Sequence, residues 1–123
     1  VTNTNNSYGS ISDQRLKTDI ADASSQWNDI KAVKVRKFKL GMQPDDGFKI
    51  GVVSQELEAS GMNGLVQEKD ADEYQIAYNS DLDGQKVKEV KYSVLYMKAI
   101  KALQEAMTRI ETLETKVKTL EDA

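Results

Sequence analysis

The last third of the chain most constrains its fold. From about Val94 to Glu121 there is neither glycine nor proline, and Leu103, Ala106, Ile110, Leu113, Val117 and Leu120 recur three and four residues apart. Those are the a and d positions of a heptad repeat, so the stretch reads as one helix with a narrow apolar seam that another helix must cover. A helix of 28 residues is about 42 Å long. The seam continues more weakly upstream through Ala99 and Tyr96. Leu95, Ile100 and Met107 widen the apolar face there, so the upper part is expected to pack on the rest of the chain as well. Arg109 falls at g and Glu114 at the following e, and Lys116 and Glu121 repeat the relation, as in parallel coiled coils. Ile110 and Val117 at a, with Leu113 and Leu120 at d, lean towards two strands.

Upstream, short elements alternate. Leu16, Ile20, Ala23, Trp27 and Ile30 have helical spacing, which predicts a helix over Asp13 to Ile30 that Ser24 and Ser25 weaken. Lys31 to Leu40 reads as a strand whose phase slips near Lys37, as at a bulge. Pro44-Asp45-Asp46-Gly47 is a turn, and Phe48 to Val53 the returning strand of a hairpin. Ser54 to Ser60 reads as a short helix closed by Gly61. Tyr74, Ile76 and Tyr78 alternate, which predicts a strand over Glu73 to Asn79. Asn79 to Gly84 turns the chain into a return strand holding Val87 and Val90. Trp27, Phe38 and Tyr74 are expected in the core or at an interface. The expected class is α+β: an N-terminal helix and β-hairpins, followed by a long helix that forms a parallel coiled coil. The divisions are residues 1–11 as the end of a preceding region, 12–93 as the α+β region and 94–123 as the coiled coil.

Composition narrows the chemistry. With 30% charged residues and a mean hydropathy of −0.59, the chain is polar for a compact monomer. It suits an elongated molecule or one whose core partner chains complete. The net charge of −3 does not call for nucleic acid or an anionic membrane. There is no cysteine and no histidine, so no disulfide is available, and acid–base chemistry falls to Asp, Glu, Lys or Tyr. No run has membrane-spanning length, and no cofactor or metal is expected. Asn79-x-Asp81-x-Asp83-Gly84 has the start of a calcium loop, but Val90 stands where a bidentate Glu is needed. The basic run Lys31, Lys34, Arg36, Lys37 and Lys39 could meet phosphate, but reads better as a solvated, aggregation-resistant edge.

A polar leader with three Asn, two Thr and two Ser precedes the hexapeptide Ser12-Asp13-Gln14-Arg15-Leu16-Lys17. A serine hydroxyl becomes a nucleophile when a base takes its proton, and a lysine can be that base once neutral. Ser12 and Lys17 would lie about 140° apart on a helix and on opposite faces of a strand. Their meeting needs a bend at Ser12, or two chains. The plain alternative makes Ser12 a helix cap and Asp13–Lys17 an i,i+4 ion pair.

Three further blocks follow in order. They are Lys49-Ile50-Gly51-Val52-Val53-Ser54-Gln55-Glu56-Leu57, then Leu65-Val66, then Tyr92-Ser93-Val94-Leu95-Tyr96 leading into Ala99 to Glu105. Together with the hexapeptide they resemble the self-cleaving intramolecular chaperone domains at the C-termini of phage tailspikes, tail fibres and neck appendages, of endosialidase type. Ser54 departs from the alanine more usual before the glutamine.

The resemblance implies a homotrimer with Leu103, Ala106, Ile110, Leu113, Val117 and Leu120 at its interface. It implies a single-turnover serine endopeptidase in which Ser12 and Lys17 form the dyad and the scissile bond is Ile11–Ser12. Asp13, Arg15 and Gln55 are candidate supporting residues. The client is the upstream fibre or spike domain of the same polypeptide, folded in the host cytoplasm during virion assembly. The domain then leaves the mature particle. The competing reading is a non-catalytic trimerisation or adhesion cap that stays attached.

Overall fold

The structure, a computed structural model, describes residues 10–123. The reading of residues 1–11 as a leader therefore lies, apart from Ser10 and Ile11, outside the described residues.

The expected helix over Asp13 to Ile30 is not there. A single 3-10 turn covers Gln14–Leu16, and the chain then runs without regular structure to α1, Trp27–Ala32. Asp19 stands at φ 54°, a left-handed value that an α-helix does not accommodate. Leu16 and Ile20 are exposed, so the helical spacing finds no surface to bury against.

The strand expected from Lys31 shortens to β1, Arg36–Phe38, because α1 takes Lys31 and Ala32. Pro44–Asp46 forms a 3-10 turn and Gly47 sits at φ 79°, a conformation glycine adopts without strain. β2, Lys49–Gly51, returns antiparallel with Lys37 opposite Ile50. The hairpin is as expected, without a bulge between its paired residues.

Ser54–Ala59 is α2. Its end is a Schellman motif: the Met62 N–H donates to the Leu57 carbonyl at 3.1 Å and the Gly61 N–H to that of Glu58 at 3.0 Å, with Gly61 at φ 85°. The motif folds Met62 back onto Leu57, and these two with Leu65 and Leu95 form the core. Leu57 is 2% exposed; each such side chain contributes roughly 1.5–3 kcal/mol through burial. Ile30, Val33, Val52, Val66 and Val90 pack around the cluster.

The second hairpin differs from expectation. β3 is Val66–Asp70 and pairs antiparallel with β4, Lys86–Val90. The predicted strand over Glu73 to Asn79 is instead α3, Glu73–Tyr78. The cause is local: the Gln75 N–H donates to the Asp72 carboxylate at 2.8 Å and the Asp72 N–H to the Gln75 side chain at 3.0 Å. That capping box starts a helix before the alternation of Tyr74, Ile76 and Tyr78 can act. Tyr74 is exposed, whereas Trp27 and Phe38 are half-buried.

The long helix is α4, Tyr92–Glu121. The Lys91 N–H donates to the Leu65 carbonyl at 2.8 Å and ties its start to the core. Leu95 and Ala102 are buried, whereas Ile100 and Met107, expected to pack on the small domain, are exposed. The seam residues Leu103, Ile110, Leu113, Val117 and Leu120 all face solvent in the single chain, and Ala106 is half-buried. Among the described residues no helix is long and apolar enough to cross a membrane.

Candidate active site

The hexapeptide folds into its own small loop. Asp13, not Ser12, caps the 3-10 turn: its carboxylate accepts the Arg15 N–H at 2.9 Å. The same carboxylate grips the Arg15 guanidinium, with Nη2 donating to Oδ2 at 2.7 Å and Nε to Oδ1 at 3.1 Å. The Arg15 side chain, then its backbone N–H, holds the Asp13 carboxyl below the usual range, and Asp13 in turn raises the Arg15 pKa. The Asp13–Lys17 pair of the plain alternative does not form; Asp13 is engaged by Arg15 instead.

Lys17 leaves the turn in extended conformation, and its Nζ donates to the Ser12 hydroxyl at 2.7 Å. A 3-10 turn between the two residues does what neither a helix nor a strand could: it brings side chains five positions apart together within one chain. Both are exposed, as is Ile11 at 81%, so the Ile11–Ser12 peptide bond lies open to solvent. Gln55 sits exposed in the first turn of α2 and makes no hydrogen bond to Ser12 or Lys17 among the described residues.

Part of the basic run divides between an ion pair and an aromatic ring. Arg36 bridges Glu56 at 2.6 Å, and Lys37 and Lys39 lie 4.2 and 4.9 Å from the Phe48 ring centre.

Sequence reasoning missed how the loop is held. Beyond it, the Gln26 N–H donates to Glu105 Oε2 at 2.9 Å, Lys98 donates to Asp29 at 3.0 Å, and Arg109 lies 3.7 Å over the Trp27 ring. Bonds from the Ser25 hydroxyl and then the Gln26 N–H hold the Glu105 carboxyl below its ordinary range. A signal was present: Leu95, Lys98, Ala102, Glu105 and Arg109 make a second stripe at three- and four-residue spacing, beside the seam.

Residues 12–66 match the Peptidase_S74 family model, chaperone of endosialidase. The match is to the family the motifs resemble, over a little under half the chain. It takes in the hexapeptide, the first hairpin, α2 and Leu65-Val66; the Tyr92 to Glu105 block lies beyond it. No curated protein matches the chain.

Proposed function

We propose that this chain is an intramolecular chaperone that brings three copies of a phage fibre, tailspike or appendage protein into register and then releases itself by cutting Ile11–Ser12. The observation that supports it is the 2.7 Å contact between Lys17 Nζ and Ser12 Oγ beside the one bond such a dyad would cut. The Ser12 hydroxyl attacks the Ile11 carbonyl carbon and its proton passes to neutral Lys17. The tetrahedral intermediate collapses as the Ile11–Ser12 C–N bond breaks and Lys17 returns the proton to the leaving Ser12 amine. An Ile11 ester remains on Ser12 Oγ, and water hydrolyses it. Asp13 holds Arg15 beside the loop, where the guanidinium can face the developing oxyanion. Gln55 has no assigned part.

Assembly has its own support in the five exposed apolar side chains along the seam. A coiled coil registers chains through fast local contacts before slow, distant β-pairing. A neighbouring copy over the loop would exclude water and favour the neutral lysine the chemistry requires. The setting is the host cytoplasm during assembly, and the client is the polypeptide upstream.

The test is the denatured mass of the chain with its upstream segment, beside Ser12→Ala and Lys17→Ala. The expected result is a break before Ser12 in the unmutated protein alone. An intact mass in all three, with native trimers, would sink self-cleavage and leave an attached trimerisation cap.

A further inference from the structure

Resting on the self-cleavage reading, we propose that Glu105 is a positioning residue that fastens the dyad-bearing segment to the coiled-coil helix. Among the described residues, 18–25 make no backbone–backbone hydrogen bond, so the Ser12–Lys17 loop has no ladder or helix of its own to hold it against the body. The first firm attachment after it is the Gln26 N–H on Glu105 at 2.9 Å. Gln26 caps α1 without a side-chain hydrogen bond. Glu105 therefore does, from another helix, what the third residue of a capping box does within one: its carboxylate accepts the N–H of the cap residue. Lys98 on Asp29 and Arg109 over Trp27 hold the next turn of α1 to the same face.

That face does not compete with assembly. Lys98 and Glu105 stand at c and Arg109 at g, and at 100° per residue the c/g stripe is centred about 110° from the a/d seam. Partner helices can close the seam while Glu105 keeps Gln26. The segment that leads back to the dyad loop then starts from the same place on α4 in every copy.

The full chain with its upstream segment is compared with Glu105→Ala and Glu105→Gln, with Ser12→Ala as the uncut control. Three readouts are taken: the cleavage rate, the sedimenting mass, and deuterium exchange at Gln26. Glu105→Ala is expected to cut about 10–100-fold more slowly, as a misplaced reacting group does, with unchanged assembly and faster Gln26 exchange. Glu105→Gln keeps an oxygen that accepts the same N–H, and is expected within about threefold of the unmutated rate.

Cleavage of Glu105→Ala at the unmutated rate would overturn the proposal. So would equal slowing of both variants with loss of assembly, since that marks a general structural role. If the unmutated chain stays as intact as Ser12→Ala, it is the self-cleavage reading that has failed. The anchor is then judged on exchange, and equal Gln26 exchange in the unmutated chain and Glu105→Ala would overturn it.

Discussion

The upper and lower halves of α4 are one uninterrupted helix in two surroundings. Above, Leu95 and Ala102 are buried, while Lys98, Glu105 and Arg109 hold α1 and the residues before it. Below, Ile110, Leu113, Val117 and Leu120 are each more than half exposed. A helix owes most of its stability to the burial of one face rather than to propensity. The upper half has that burial from its own chain, and the lower half has no such cover from it. Under the proposed assembly, folding and self-association fall to different stripes of the same helix.

The largest effect is expected where the lower half is broken. Ile110→Asp with Leu113→Asp places charge in the seam and should weaken self-association at least about a hundredfold, with part of the helical circular dichroism lost and the small domain still folded. Sedimentation at unchanged mass would show that the seam is not the interface. Leu57→Ala strikes the other side of the comparison. It should cost the small domain about 2–5 kcal/mol in denaturant unfolding, while the seam still associates.

At the boundary between the halves, Arg109→Gln removes the cation over Trp27. A loss of about 1 kcal/mol and a shift in the emission of the chain's one tryptophan are expected; unchanged emission would place Arg109 elsewhere in solution.

The smallest effect concerns acid. Hydrogen bonding to Arg36 holds the Glu56 carboxyl below its ordinary range, so the unfolded chain binds this proton more readily than the folded one. The contribution is present above the ordinary glutamate range, near ~4.3, and is lost as pH falls through the lower folded value. Melting curves at falling pH should show this for the unmutated protein and less of it for Glu56→Gln. Equal acid sensitivity would remove the pair from the account.

Legibility followed the reach of the interactions. α4, the Pro44 turn, Gly61 at the end of α2 and β4 could be read because glycine, proline and a long apolar period act locally. The Ser12–Lys17 pairing was readable as a requirement for a bend, though not that a 3-10 turn supplies it. α3 reads as a strand from the alternation of Tyr74, Ile76 and Tyr78, but the capping box of Asp72, just ahead of it, and Gln75, in its first turn, decides for a helix. β3 was missed because Gln67-Glu68-Lys69-Asp70 has no apolar alternation; an exposed strand is held by its partner, here through pairs such as Asp70–Lys86 at 2.6 Å. The helix expected over Asp13 to Ile30 failed because periodicity records which residues could share a face, not whether anything covers it. The attachment of that segment, through Glu105 at a separation of 79 residues, is marked locally only by the second stripe on α4, which shows that a face is used and not what it holds.

That separation also sets an order in time. A ribosome adding about 5–20 residues per second finishes Gln26 roughly 4–16 s before it reaches Glu105. Through that interval the nascent chain holds the Ser12 loop without the carboxylate that fastens it. Under the proposed self-cleavage, a chain stalled or truncated in between would carry Ser12 and Lys17 and lack the Glu105 anchor, so unfinished copies are expected to keep their leader while completed ones shed it.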